Sequence, residues 1–228
     1  MSTAGALARL PIARLLRTPR AWLPMLGWTT LAVGATVITR NAGGASADRA
    51  VLAVFGPFVL PLLAYGIVAA TFNGQRVGTA GAPLRAYGAG GGQVALTSAV
   101  VAMAMTALLG AILAPALVLL GHSPFDPPLA HDALTCAWIG ALAGAAYASF
   151  FSLGACFGKK GGGRGVFLFV NWLLGAGKGA SALFVPYGHV RSLLGGDPVL
   201  TLSQRGSAMA LVGVAAVALA LTSWRGKK

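Results

Sequence analysis

The side chains able to perform acid–base or metal chemistry are few, and their spacing fits no catalytic arrangement. The chain contains no Glu and four Asp, which leaves almost no candidates for buried general acid–base catalysis. His122, His131 and His189 do not form a metal-binding pair such as HxxxH. Cys136 and Cys156 would lie about 30 Å apart along one helix, too far to form a disulfide with each other. We therefore expect no catalytic and no metal-binding residues.

Two glycine-rich segments resemble a phosphate-binding loop at first sight, residues 154–160 and residues 175–181. Such a loop has four residues between its glycines, ends in Lys-Ser or Lys-Thr, and joins a strand to a helix. Neither segment meets these conditions. We therefore expect that the chain binds no cofactor of its own and is not an enzyme.

The composition excludes a soluble enzyme and predicts an integral membrane protein. Hydrophobic residues make up 57% of the 228 residues, charged residues 9%, and the mean hydropathy is +0.78. A soluble domain has about 25% charged residues, so this chain could not cover a wetted surface. The net charge of +13 does not indicate a nucleic-acid partner, because a nucleic-acid-binding protein also needs a soluble, polar shell.

The apolar runs predict an all-α membrane protein with six transmembrane helices in one domain, residues 21–223. A spanning helix needs about 20 mostly apolar residues, and one of the six runs is shorter than that. The chain after this short run is interrupted by charges and prolines, which favours an amphipathic or re-entrant outer segment at about residues 180–199. The predicted spans are residues 21–39, 50–72, 93–120, 132–157, 165–177 and 206–223.

The distribution of charge predicts that both termini, including a basic tail at residues 224–228, are cytoplasmic. Lys and Arg are favoured in short inner loops. The inner basic residues are Arg9, Arg14, Arg17, Arg20, Arg76, Arg85, Lys159, Lys160, Arg164, Arg225, Lys227 and Lys228. The outer charges are Arg40, Arg49, Arg191, Arg205, Asp48, Asp126, Asp132 and Asp197. The excess of Arg over Lys and the Ala/Gly richness indicate a bacterial inner membrane.

Residues 1–20 predict an amphipathic helix in the headgroup layer, where arginines meet anionic membrane lipids. At 100° per residue, five apolar side chains share one half of the helix and four arginines the other. The prolines at positions 11 and 19 are expected to break this helix. The alternative is a surplus of charge that only sets topology. The apolar residues are Leu7, Ile12, Leu15, Leu16 and Leu23, and the arginines are Arg9, Arg14, Arg17 and Arg20.

Lys178 is the one charged residue expected within reach of the membrane interior. Charge inside a membrane is costly and by default functional, which would make Lys178 a substrate or gating contact. The residue also lies near the outer end of its predicted span, where a lysine can extend to the headgroups as an anchor. Both roles stay open.

The inner loop at residues 73–92 contains the most informative pattern. Pro83 to Tyr87 could form a short helix, since proline suits a helix start. With Gly78-Thr79 before it and Leu84-Arg85-Ala86 within it, the loop resembles the coupling region of permease subunits of ABC-2 type ABC transporters. In that family Gly-Thr closes the second span, and a short coupling helix follows.

The resemblance extends along most of the chain. The N-terminal helix is similar to the family's connecting helix, residues 153–160 to the end of its fourth span, and residues 183–191 to its outer re-entrant segment. The family carries acidic residues before Gly-Thr, where this chain has Asn73, Gln75 and Arg76.

The resemblance implies the membrane permease subunit of an exporter that moves a lipid, antibiotic, peptide or polymer outward. It implies two copies of a separate ATPase subunit, which bind the ATP and Mg, and a second copy of this chain or a related permease. The coupling residues would be Gly78, Thr79, Pro83, Leu84, Arg85, Ala86 and Tyr87. The alternatives are a non-transporting anchor that recruits an ATPase to an envelope or motility assembly, and an unrelated six-span channel.

Overall fold

The structure is a computed structural model that describes residues 3–17, 19–41, 51–122 and 128–227. Every regular element in these ranges is helical, which confirms the all-α prediction. Four charges used to predict orientation, Asp48, Arg49, Asp126 and Lys228, lie outside the described residues. The α-helices are α1 Thr3–Arg17, α2 Pro19–Asn41, α3 Leu60–Thr71, α4 Val77–Ala80, α5 Ala82–Ala86, α6 Gly91–Gly121, α7 Leu129–Gly154, α8 Gly163–Gly175, α9 Pro186–Leu193 and α10 Gln204–Gly226.

Four helical segments are long and apolar enough to cross a membrane: Ala53–Thr71, which ends in α3, and the helices α6, α7 and α10. They correspond to the second, third, fourth and sixth predicted spans and support a membrane-embedded protein. At the first and fifth predicted spans the structure has α2, of 23 residues, and α8, of 13 residues. Neither of these is among the four, so the count of six spans stays a prediction.

Helices α6 and α7 form a hairpin in which their backbones touch through small residues. Gly140 lies directly against Gly110, and a methyl group added at Gly144 would lie 2.5 Å from the carbonyl oxygen of Thr106. Small residues at this spacing allow close helix approach, as expected for a small-xxx-small pair in a membrane. The Gly140–Gly144 pair is therefore used within the chain.

The second predicted span is not a uniform α-helix. Residues Val51–Val59 form a π-helix, which continues directly into α3. Pro61 has no N–H to donate to the carbonyls of Pro57 and Gly56, which lie four and five residues before it. The Tyr147 hydroxyl donates to Gly56 O at 3.2 Å and the Trp172 indole N–H donates to Pro57 O at 2.6 Å. Side chains of α7 and α8 thus replace the missing backbone donor, which is how helix irregularities survive in membranes.

The segment between α8 and α10 folds back into the protein at the end opposite the α6 N-terminus. It contains a 3-10 turn, Ala180–Phe184, and helix α9, most of whose residues are buried. Asn171 in α8 accepts a hydrogen bond from the Tyr187 backbone N–H at 3.1 Å. Arg191 donates to the carbonyls of Ala176 and Gly177 at 2.6 and 2.8 Å. Protein contacts therefore cover the irregular backbone of this segment.

Helix α1 differs from its sequence prediction in one respect. It runs without interruption through Pro11 and ends before Pro19, whereas we expected Pro11 to break it. The helix is held by tertiary contacts: Leu15 is buried in the bundle, and Arg14 hydrogen-bonds to the carbonyl of Ala80. Ile12 and Leu16 are exposed on the helix surface.

Candidate functional site

The candidate site lies at the end of the bundle where α1, α6, α8 and α10 bring their polar ends together. The inner loop that carries α4 and α5 packs onto the turn between α7 and α8. The Val77 N–H donates to Ala155 O at 3.3 Å, and the Arg76 Nε–H donates to Cys156 O at 3.0 Å. Val77 and Ala80, at the two ends of α4, are buried between the loop and the rest of the bundle. The loop is therefore a packed part of the bundle.

Three arginines hold this loop through backbone carbonyls. Arg76, in the loop, donates to Cys156 O in the α7–α8 turn. Arg14 of α1 donates to Ala80 O at 3.0 Å. Arg85 in α5 donates back to Gly78 O. From the sequence, Arg14 is expected on the amphipathic N-terminal helix, Arg85 among the coupling residues, and Arg76 where the resembled family has acidic residues. The structure shows that they also join α1 and the α7–α8 turn to α4 and α5.

The seven predicted coupling residues lie between positions 78 and 87, and most of them are exposed. Helix α5 has Pro83 in its first turn, as expected for a short helix starting with proline. Tyr87, just after α5, is 91% exposed, and Leu84 is half-buried. Gly78 is also half-buried. The other coupling residues, Thr79, Pro83, Arg85 and Ala86, are exposed like Tyr87. We call this largely exposed surface, formed by α4, α5 and Tyr87, the knob.

Beside this knob lie two adjoining open cavities of about 370 and 480 Å³. Their shared walls come from Arg76, Thr79, Cys156 and Arg225. We call the lining polar side chains the basic cleft: Arg76, Thr79, Arg85, Lys159, Lys160 and Arg225. The cleft was not predicted, because its residues come from three separate parts of the chain.

Contacts within the protein orient the side chains of the basic cleft. The guanidinium of Arg225 lies 4.9 Å from the centre of the Phe157 ring and 5.5 Å from that of the Trp224 ring, within cation–π distance. Burial raises the pKa of the Cys156 thiol to about 11, although Thr222 and the cations Arg225 and Arg76 lower it. Cys156 is therefore a neutral wall residue, because a reactive cysteine needs a low pKa.

Arg164 is placed differently from what the sequence indicated. It was counted among the charges of an inner loop, but its side chain is 5% exposed in the first turn of α8. Its hydrogen bond to Lys160 O is long at 3.5 Å, Tyr65 also interacts with the guanidinium, and the Nε and one terminal nitrogen have no hydrogen-bond partner in the described structure. Packing against α7, where Gly154 touches the Arg164 backbone, explains the burial.

Lys178 lies at the opposite end of the bundle, on its surface. Its ammonium is 3.0 Å from a carboxylate oxygen of Asp197, and the two side chains are 68% and 58% exposed. An exposed pair of this kind contributes little to stability. Anchoring in the headgroups and a role in gating or substrate contact both stay predictions.

The search for relatives found no family, no curated protein and no solved structure that matches this chain. Within the described ranges, no group of three His, Cys, Asp or Glu side chains could hold a metal ion. Cys136 and Cys156 are both buried. The function must therefore be argued from the knob, the basic cleft and the apolar bundle that carries them.

Proposed function

We propose that this chain is the membrane subunit of an ABC-2 type exporter, driven by a separate ATPase that binds the knob formed by α4 and α5. The observation that carries the proposal is the knob itself. It projects exposed side chains from the end of an apolar helical bundle, yet its base is hydrogen-bonded to the bundle. A partner pressing on it would act on the spans rather than on a loose loop.

The contacts at the base of the knob define the route by which movement would reach the membrane. Arg76 and Val77 connect it to the turn that ends α7 and leads to α8. Arg14 connects it to α1, and the chain continues from α5 into α6 after a few residues. An ATPase that prefers one position of the knob would shift the bundle between two states by differential binding.

In the proposed assembly, two copies of this chain, or this chain and a related permease, form the pathway above two ATPase subunits. Helices α2 and α8 provide the first and fifth of six spans, and both termini are cytoplasmic in a bacterial inner membrane. The clustering of basic side chains around the knob supports this orientation through the positive-inside rule. The substrate is hydrophobic or amphiphilic, and ATP and Mg belong to the ATPase.

The test is ATP hydrolysis by the ATPase that co-purifies with the full chain. Leu84→Asp combined with Arg85→Glu places acidic groups on α5 and is expected to abolish stimulation of hydrolysis. Arg205→Glu, an exposed charge reversal at the opposite end of the bundle, serves as the control and should leave stimulation unchanged. Unfolding temperatures of all variants show whether each one folds.

Two other outcomes would redirect the proposal. Unchanged stimulation in the folded double variant would remove the knob as the coupling site. An ATPase that binds the chain, but whose hydrolysis the chain never alters, would support the non-transporting anchor instead.

A further inference from the structure

The basic cleft concentrates positive charge without a compensating acid in the described structure. Arg76, Arg85, Lys159, Lys160 and Arg225 converge on the two adjoining cavities. The acids that the structure describes, Asp132 and Asp197, belong to the outer end of α7 and to the segment before α10. Like charges repel one another, so an anion bound in the cleft would reduce the repulsion between these side chains and also form hydrogen bonds with them.

The donors of the cleft are partly preorganised. Arg76 is held by its Nε–H bond to Cys156 O, Arg85 by its bond to Gly78 O, and Arg225 by the ring of Phe157. Thr79, which is exposed, lines both cavities. Guanidinium groups fixed in this way suit a tetrahedral oxyanion, which accepts several charge-assisted hydrogen bonds at once. Phosphate is the common anion with this chemistry.

The surroundings of the cleft place it at headgroup depth. Phe157 and Trp224 flank Arg225 and are 36% and 49% exposed, and aromatic side chains are enriched at membrane interfaces. The cleft lies where the apolar helices α7 and α10 end. Basic pockets between the ends of transmembrane helices bind anionic lipid headgroups.

We propose that the basic cleft binds the phosphate of an anionic phospholipid headgroup in the leaflet that faces the knob. Lys159, Lys160 and Arg225 supply charge around the phosphate, Arg76 and Arg85 supply oriented N–H donors, and Thr79 supplies a hydroxyl. The bound lipid would stabilise the loop that carries α4 and α5, and the α7–α8 turn, from the membrane side. This site depends on the bundle being in a membrane and not on transport or on an ATPase.

The test measures phospholipid retained by the purified full chain. The chain is extracted in detergent from vesicles of phosphatidylcholine and phosphatidylglycerol, and bound lipid is counted by native mass spectrometry. Combined substitution Lys159→Gln, Lys160→Gln and Arg225→Gln removes three charges and leaves the loop anchors Arg76 and Arg85 in place. We expect roughly 100-fold weaker retention of phosphatidylglycerol, because each basic residue near an anionic surface contributes a several-fold gain in binding.

A matched control removes three basic residues at the opposite end of the bundle, by Arg40→Gln, Lys178→Gln and Arg205→Gln. This variant should lose only a few-fold in retention. Lys159→Gln with Lys160→Gln alone changes only an exposed turn and should lose roughly 30-fold. That pair keeps the proposal testable if loss of Arg225 prevents folding.

Inorganic phosphate in the buffer distinguishes the two sources of the anion. Displacement of phosphatidylglycerol by phosphate in the unmodified chain, and not in the triple variant, would support a headgroup site. Phosphate that binds in the cleft while lipid retention is the same in all variants would assign the cleft to a soluble phosphate compound and overturn the lipid proposal.

Two further results would overturn the proposal. An equal loss of phosphatidylglycerol retention in the triple variant and in the control would show that basic residues anywhere on the surface attract the lipid. Unchanged lipid and phosphate binding, together with loss of an ATPase partner, would make the cleft a protein-docking surface. The lipid measurement contains no ATPase, so its failure is separate from failure of the coupling site.

Discussion

The hydrogen bond from Tyr147 to the Gly56 carbonyl predicts that substitutions of Tyr147 and Pro61 are coupled in their effect on the free energy of unfolding. Tyr147→Phe removes the hydroxyl and leaves a buried carbonyl without its donor, since Pro61 has no N–H to offer. An unsatisfied buried polar group costs about 1–3 kcal/mol, and hydrogen bonds in membrane proteins reach about 1.7 kcal/mol in double-mutant cycles. We therefore expect Tyr147→Phe to lower the free energy of unfolding by about 1.5 kcal/mol.

Pro61→Ala restores an N–H that points toward the carbonyl five residues earlier, which is the partner used in a π-helix. In the Pro61→Ala background the same Tyr147→Phe substitution should cost less than about 0.5 kcal/mol, a coupling energy of about 1 kcal/mol. Substitution of the almost fully exposed Tyr87 by Phe is the matched control and should cost nothing measurable in either background.

The assay is reversible unfolding of the purified chain in mixed detergent and SDS micelles, followed by circular dichroism and tryptophan fluorescence. All four members of the cycle and the control are compared under one condition. An equal cost of Tyr147→Phe with proline and with alanine at position 61 would refute the reasoning, because the hydroxyl would then not be replacing a backbone donor.

The contact of α6 with α7 predicts that Gly144→Ala lowers the unfolding free energy by about 1–3 kcal/mol, because the new methyl group meets the facing backbone. Gly213→Ala, in open space on α10, is its control and should be near neutral in the same titration. Cys156 should react slowly with maleimide at pH 7, since its buried thiol has a raised pKa and stays protonated until the pH approaches 11. Arg76→Lys keeps the positive charge that lowers the thiol pKa but removes the Nε–H bond to Cys156 O, and it should speed that labelling by releasing the loop above the thiol; an unchanged rate would contradict the anchoring role. Lys178→Ala should cost less than about 1 kcal/mol in unfolding, because its ion pair is exposed, and a larger loss would indicate a structural role.

Several properties of this protein could be derived from the sequence because they depend on short stretches of chain. The requirement for about 20 apolar residues in a membrane helix acts on each run separately, so the run predicted at residues 93–120 appears as α6, Gly91–Gly121. The short helix α5 could also be predicted from the sequence, because the preference of Pro83 for a helix start depends only on neighbouring residues. Composition alone sufficed for the membrane class.

Other properties were decided by tertiary contacts. Pro11 lies inside α1, whose Leu15 and Arg14 are held by the bundle, although local rules favour a break there. Arg164 is buried by its packing against α7, although its sequence neighbours are typical of an exposed loop. In both cases the energy of packing outweighs the local preference.

The basic cleft and the paired carbonyls belong wholly to the tertiary structure. Arg76 and Arg225 meet only because the turn after α7 and the end of α10 reach the same end of the bundle. Tyr147 and Gly56 are 91 positions apart in sequence, and nothing local marks either as the partner of the other. Hydropathy and helix length act along the chain and can be read from it, whereas charge convergence and hydrogen-bond replacement arise between helices and depend on how they pack.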